Sequence, residues 1–156
     1  LRRGVDLFLR MYLYPRPVVA ACTGHALAAG AILLMCSDLR IGSRGDYRIG
    51  LPEVTIGMSL PVFATELARD RISKRHYTRA TALGAIYDPE GACDAGFLDE
   101  VVEARQTVET AVEQAGALTG VGKAELAATR ISARSAVADT IRQSLDGDLG
   151  RFSVES

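Results

Sequence analysis

The chain has 156 residues, of which 48% are hydrophobic and 24% charged, a composition typical of a globular domain with its own core. Its 18 basic and 19 acidic residues give a net charge of −1, so neither nucleic acid nor an anionic membrane surface is expected as a partner. The most apolar run, residues 26–36, is too short to span a bilayer, so no membrane partner is expected either. Three cysteines without a CxxC pair and only two histidines predict free thiols, a cytoplasmic location and no metal site.

The first predicted element is an amphipathic helix. Leu1, Val5, Phe8 and Tyr12 recur at helical spacing, and Pro15 is expected to end the helix. The helical pattern starts at the first residue with neither a capping residue nor an initiator Met. We therefore expect the intact protein to begin further upstream.

A buried strand, a turn of small residues and a buried helix are predicted next. Residues 18–22 form a short apolar run, residues 24–30 are rich in Gly and Ala, and residues 31–36 are apolar on all sides. The first N–H groups of a helix lack internal partners and, aided by the helix dipole, can hold an oxyanion. By itself the same segment also fits a tight turn that needs small residues for packing. Residues 38–42 then predict a strand that leaves the helix.

Glu53 lies in a predicted loop, residues 51–61, and its neighbours in the sequence are mostly apolar. A carboxyl group in apolar surroundings has a raised pKa and becomes able to transfer protons near neutral pH. An exposed loop glutamate without a chemical role is the alternative that these residues alone leave open.

The rest of the chain is predicted to be mixed and then helical. Residues 47–49 and 97–102 read as strands, and Asp88 followed by Pro89 is typical of a helix start. Beyond Gln106 the pattern predicts two helices with apolar stripes, separated near residues 120–122. Between residues 61 and 84 the pattern predicts two more helices. The first has an apolar stripe of Phe63 and Leu67, and the second has one of Tyr77, Ala80 and Leu83, with Gly84 as its predicted cap.

Together these segments resemble the crotonase (enoyl-CoA hydratase/isomerase) superfamily. The resemblance is carried by residues 17–30, by Ser-Asp-Leu-Arg-Ile at 37–41, by Gly-Leu-Pro-Glu-x-x-x-Gly at 50–57 and by residues 92–102. It implies an α/β fold of the crotonase-type β-β-α spiral, entered partway, with residues 1–102 as the spiral core. Residues 103–156 would then form a C-terminal helical subdomain of the kind used for oligomerisation, and the resemblance implies a homotrimer or a dimer of trimers.

The resemblance also implies an acyl-CoA thioester substrate, whose carbonyl oxygen lies between two backbone N–H donors. One donor falls on Ala29, and the other belongs to a segment that precedes Leu1. No metal and no separate cofactor are implied, because coenzyme A is part of the substrate. The residues then expected to contact the substrate are Ala28, Gly30, Ile32 and Leu60.

One departure from the family pattern bears on the reaction. Hydratases of this family use two glutamates, of which the second matches Glu53 while the first falls on Ile32, a side chain that cannot orient water. The enoyl-CoA delta-isomerase branch is similar in having an aliphatic residue at this position and in its loop, which matches residues 50–61. Since one base can move a double bond from C3 to C2, the favoured prediction is isomerisation of 3-enoyl-CoA to 2-enoyl-CoA by Glu53.

Other functions remain open at the level of sequence. One is hydration of enoyl-CoA by Glu53, acting alone or with a residue upstream. Another is a non-catalytic acyl-CoA-binding protein, motivated by the missing first glutamate. A nucleotide-binding unit is disfavoured, because no GxGxxG or P-loop pattern occurs. Of the histidines, His25 is predicted to be structural and His76 to lie on the surface of a helix.

Overall fold

The computed structural model describes residues 2–153 and, within them, two three-stranded sheets surrounded by helices. The strands are β1 (Val19–Cys22), β2 (Ala26–Leu27), β3 (Leu39–Ser43), β4 (Ile49–Gly50), β5 (Ile86–Tyr87) and β6 (Glu100–Val102). The helices are α1 (Arg2–Tyr12), α2 (Ala29–Cys36), α3 (Val62–Arg71), α4 (Lys74–Ala80), α5 (Pro89–Ala95), α6 (Thr107–Ala117) and α7 (Lys123–Ser153). This order confirms the predicted α/β class and the two C-terminal helices.

The first sheet has the strand order β1-β3-β6, and all of its pairs are parallel. Helix α6 packs against β1 and β3 through Thr107 and Ala111, both buried. The Thr107 hydroxyl lies 2.6 Å from the hydroxyl of Ser43 on β3, so this buried pair satisfies its own hydrogen bonding. One face of the sheet is thereby covered by a C-terminal helix.

Helix α2 lies in the middle of the core, as its uniformly apolar sequence predicts. Ala31, Met35 and Cys36 are fully buried, and the helix packs against α1 on one side and α3 on the other. The free thiol of Cys36 is buried in this core, and burial raises its pKa to about 12. The helix that begins at the candidate site is therefore firmly anchored.

Helix α7 lies against α3 and α1. Its buried residues Ala138, Ile141, Leu145 and Asp148 recur at helical spacing and form one face. At the end of this face, the carboxylate of Asp148 accepts a 2.9 Å hydrogen bond from the N–H of Val62, the first residue of α3. A side chain of α7 therefore caps the N-terminus of the helix that follows the Glu53 loop. No helix within residues 2–153 carries an apolar stretch sufficient for a membrane span.

Replacing Asp148 with alanine is expected to lower the free energy of unfolding by about 1–2 kcal/mol, as loss of a helix cap does. The nearby Asp146 serves as the matched control, because its side chain is 88% exposed and pairs with an exposed Arg2. Its replacement by alanine should change stability by less than about 0.5 kcal/mol. Urea denaturation of both variants checks this, and equal effects would contradict the capping role.

A buried ion cluster joins the C-terminal helix to the first sheet. The carboxylate of Asp38 accepts bonds from Arg130 at 2.7 Å, from Arg134 at 3.1 Å and from the N–H of Val18 at 2.8 Å. The position of Asp38 just after α2 predicts a bond to backbone or to Arg40, and of these two the structure shows the backbone bond. Arg40 instead pairs with Asp99, 2.7 Å away on the segment before β6.

One helix and two strands differ in length from their predictions. Helix α4 ends at Ala80, so Leu83 is 65% exposed and Gly84 does not cap the helix. The hydroxyl of Thr81 bonds the carbonyl of Tyr77 and helps to end α4 one turn earlier. The predicted strand at 97–102 pairs only at Glu100–Val102, and that at 47–49 only at Ile49–Gly50.

The apolar stripe predicted on α6 faces solvent in the single chain. Val108 is 56% and Val112 66% exposed, and the helix buries Thr107 and Ala111 instead. The stripe on α7 lies inward, with Ile141 and Leu145 in the core. The predicted division into residues 1–102 and 103–156, and the trimeric assembly, stay predictions.

Candidate active site

The turn between β2 and α2 presents the backbone N–H of Ala29. Ala28 has φ 51° and is the one non-glycine residue with positive φ in the described part of the chain. This costly conformation is fixed from both sides, because the Ala28 N–H donates to Gly50 O and its carbonyl accepts from the Ile32 N–H, both at 3.0 Å. Ala29 is exposed, and its N–H has no acceptor among residues 2–153. The predicted oxyanion donor is therefore available to a ligand.

Glu53 begins a short 3-10 helix, Glu53–Ile56, directly after a fully buried Leu51. Its side chain is half-buried, and the Oε2 atom is shielded from solvent without a hydrogen-bond partner in the described structure. Burial raises the pKa of this carboxyl, and its own backbone N–H opposes the shift in part. An unpartnered buried carboxylate oxygen is costly for stability, which is typical of a group kept for chemistry.

The second sheet brings these two groups to the same place. Strands β2 and β4 pair in parallel, with Leu27 opposite Gly50. Ala29 follows the end of β2 and Glu53 follows the end of β4, so both leave the same, carboxyl-terminal edge of the sheet. Ligands of open parallel sheets bind at this edge. A half-buried base and a free N–H donor thus lie at one edge, the arrangement that proton abstraction beside a carbonyl requires.

The other residues predicted to contact the substrate lie in different surroundings. Ile32 is only 4% exposed and belongs to the hydrophobic core, and Leu60 is half-buried against that core. Gly30 lines an open groove of about 600 Å³ that runs along β1 and α2. Neither Glu53 nor Ala29 lines this groove. No cluster of three potential metal ligands occurs within residues 2–153.

His76 is buried, so the prediction of a surface histidine is wrong. It is 6% exposed, with Nδ1 3.2 Å from the hydroxyl of Tyr87 and Nε2 3.0 Å from a carboxylate oxygen of Asp94. The sequence signal for its burial is the four-residue spacing of His76 and Ala80, which places both on one face of α4. The charged neighbours Lys74 and Arg75 favour a surface position instead, which explains why the prediction is wrong.

His25 has the structural role that the sequence predicts. Its ring is exposed, and its Nδ1 accepts a 3.0 Å hydrogen bond from the N–H of Arg48, just before β4. The ring also makes an edge contact with Tyr47. The histidine therefore holds the start of β4 beside the start of β2.

Known proteins similar to this chain agree with the resemblance found in its sequence. A family model described as enoyl-CoA hydratase/isomerase matches residues 2–154. Enoyl-CoA delta isomerase 1 of mouse mitochondria is 28% identical over 149 residues, covering 95% of this chain and 52% of the relative. The chain spans about half the length of the curated relatives it matches.

Two solved structures extend this likeness to the fold. A probable enoyl-CoA hydratase from Mycobacterium tuberculosis is 39% identical with a TM-score of 0.93, covering 99% of this chain and 65% of that one. The human mitochondrial delta3-delta2-enoyl-CoA isomerase is 27% identical with a TM-score of 0.89, covering 96% and 58%. The predicted crotonase-type fold and the likeness to the isomerase branch are thus confirmed. The chain belongs to the enoyl-CoA hydratase/isomerase family.

Proposed function

We propose that the protein converts 3-enoyl-CoA thioesters into 2-enoyl-CoA thioesters, with Glu53 as the only acid and base. The observation that carries this proposal is the buried Oε2 of Glu53, which has no partner within residues 2–153 and lies at the sheet edge where the Ala29 N–H also has none there. The position that holds the first glutamate of hydratases is Ile32, buried in the core. Of the two glutamates that hydratases use, the described residues therefore keep only Glu53, and one base is enough for a proton transfer within the substrate.

The proposed reaction has two proton transfers. The ionised carboxyl of Glu53 removes a proton from C2, and the electron pair of that C–H bond moves toward the thioester carbonyl to give a dienolate. The Ala29 N–H stabilises the charge on the oxygen, a contribution worth about 10²- to 10³-fold in rate. Glu53 then returns the proton to C4, and the double bond lies between C2 and C3.

Hydration is the second candidate, because a probable enoyl-CoA hydratase is among the similar structures. The discriminating experiment gives the whole protein either a 3-enoyl-CoA or a 2-enoyl-CoA. Isomerisation of the 3-enoyl-CoA is followed by the rise in absorbance of the conjugated 2-enoyl thioester. Hydration of the 2-enoyl-CoA is followed by the loss of that absorbance. We expect isomerisation to be the faster reaction, and faster hydration would overturn the proposal.

The raised pKa of Glu53 predicts how kcat/KM falls at low pH. Glu53 must be ionised to remove a proton, so kcat/KM falls as the pH drops through the pKa of this carboxyl. Because burial raises that pKa, the midpoint should lie above the value of an exposed glutamate. The pH dependence of kcat/KM with 3-enoyl-CoA measures it, and a profile flat down to the ordinary glutamate range would contradict the assignment.

We further propose that the protein assembles as a homotrimer or a dimer of trimers. The support is apolar exposure on the C-terminal helices of the single chain, where Val108 is 56%, Val112 66% and Ile131 63% exposed. Val108 and Val112 lie four residues apart and so share one face of α6, and an exposed apolar face is typical of surfaces that bind protein. Sedimentation of the whole protein gives its mass directly.

A further inference from the structure

The sheet that carries the candidate site has a third strand, β5, on the far side of β4 from β2. Strands β4 and β5 pair antiparallel, with Ile49 opposite Tyr87 and Gly50 opposite Ile86. Strand β4 is therefore held between the strand that leads to Ala29 and the strand that carries Tyr87. The position of β5 therefore fixes one side of β4, the strand that leads to Glu53.

A polar network holds β5 on α4, with His76 and Tyr87 buried and Arg75 and Asp94 exposed at its outer end. The Tyr87 hydroxyl lies 3.2 Å from Nδ1 of His76, and Nε2 of His76 lies 3.0 Å from Asp94 on α5. Asp94 also accepts two bonds from Arg75, at 2.6 and 2.7 Å. The rings of His76 and Tyr87 contact each other, with centroids 5.5 Å apart, and Tyr87 packs on Phe97. A polar network of this kind specifies one arrangement of the elements that it joins.

The segment between α4 and β5 presses directly on the Glu53 turn. A Cβ atom added to Gly84 would lie 2.8 Å from Val54 Cγ2 and 2.7 Å from Thr55 Cγ2. A Cβ added to Gly50 would lie 2.8 Å from the carbonyl oxygen of Ala85. Both glycines also have positive φ, a conformation that other residues rarely adopt. The backbone at each glycine therefore packs directly on its neighbour, without a side chain between them. A displacement of β5 must therefore move the turn that carries Glu53.

We infer that His76 and Tyr87 are positioning residues, which hold β5 and thereby set the place of Glu53 relative to the Ala29 N–H. This role rests on the proposed function, because it concerns the geometry of the same reaction. Within residues 2–153, the hydrogen bonds of the network reach neither Glu53 nor Ala29. Misplacement of a reacting group by about 1 Å costs about 10²-fold in rate, so loss of the network should act on kcat.

The two ring nitrogens of His76 can be tested one at a time. The amide group of asparagine occupies the place of Nδ1, whereas that of glutamine reaches the place of Nε2. His76→Asn therefore keeps the bond to Tyr87, and His76→Gln keeps the bond to Asp94. Tyr87→Phe removes the hydroxyl alone, and Thr107→Val, which breaks the buried bond to Ser43 on the other sheet, is the control for general loss of stability.

Steady-state isomerisation of 3-enoyl-CoA is measured for the whole protein and these four variants. We expect Tyr87→Phe and His76→Gln to lower kcat about 10- to 100-fold with KM unchanged. His76→Asn and Thr107→Val should stay near wild type. If Tyr87→Phe and His76→Gln behave like Thr107→Val, or if they raise KM without lowering kcat, the inference is wrong.

A second measurement does not depend on turnover. Amide hydrogen exchange is compared at residues 26–29 and 50–57, which contain the two groups in question. Faster exchange there in Tyr87→Phe and His76→Gln than in His76→Asn supports the positioning role, and equal exchange overturns it. If wild type does not convert 3-enoyl-CoA while exchange differs in this way, the proposed reaction fails and the positioning of the two segments stands.

Discussion

Replacing Glu53 with glutamine is expected to lower kcat for the isomerisation of 3-enoyl-CoA by about 10²- to 10⁴-fold, the range that a general base contributes. Glutamine has nearly the same shape but cannot take a proton, so binding of the acyl-CoA should be little changed. The Ala29 N–H remains in place, because the turn at Ala28 is held by Gly50 and Ile32 rather than by the carboxyl. The expected signature is a large fall in kcat with KM nearly constant.

Glu66 provides the matched control for this experiment. It lies on α3, its side chain is 21% exposed, and it pairs with Arg69 on the helix surface. Glu66→Gln removes an acidic group of the same type without altering the β2–β4 edge, so its kcat should equal that of wild type. Comparable losses in both variants, or full activity of Glu53→Gln, would remove Glu53 from the reaction.

The largest effect on stability is expected at Asp38. The side chains of its partners Arg130 and Arg134 are only 5% and 12% exposed, and Asp38 itself is 20% exposed. Asp38→Ala leaves both guanidinium groups buried without a counter-charge and removes the acceptor of the Val18 N–H. The free energy of unfolding should fall by about 3–5 kcal/mol, the cost of breaking a buried ion pair from one side.

Urea denaturation measures this loss, and Asp139→Ala is its control. Asp139 pairs with Arg142 on the same helix as the two buried arginines, but these side chains are 59% and 54% exposed. Removing that pair should cost less than about 1 kcal/mol. If Asp38→Ala is no more destabilising than Asp139→Ala, the cluster does not join α7 to the first sheet as described.

The elements that could be predicted from sequence are those with a clear period or a defined end. Helix α2 is apolar on every side, and β1 is a continuous apolar run, so each has a recognisable pattern. The start of α5 is marked by Asp88, whose side chain accepts the N–H of Gly91 as a helix cap should. Glu53 and Ala29 are predictable because the segments that resemble the family, residues 17–30 and 50–57, contain both positions.

What could not be predicted depends on contacts between distant segments. Strands β2, β4 and β5 have two residues each, too few to show any alternation. Without them, the sequence cannot place Glu53 and Ala29 at one sheet edge or show that Tyr87 lies next to β4. The hydrogen bonds of His76 are not predictable for the same reason, since its two partners, Tyr87 and Asp94, lie on other elements.

The central claim, that one shielded carboxyl both removes and returns the proton, is tested most directly by isotope transfer. The whole protein is given 3-enoyl-CoA carrying deuterium at C2 in ordinary water, and the product is examined by mass spectrometry and NMR. Because Oε2 of Glu53 is closed to solvent, we expect part of the deuterium to reappear at C4. Product whose C4 has gained only hydrogen from water in every turnover would contradict the account, because a second group or bulk water would then supply the proton.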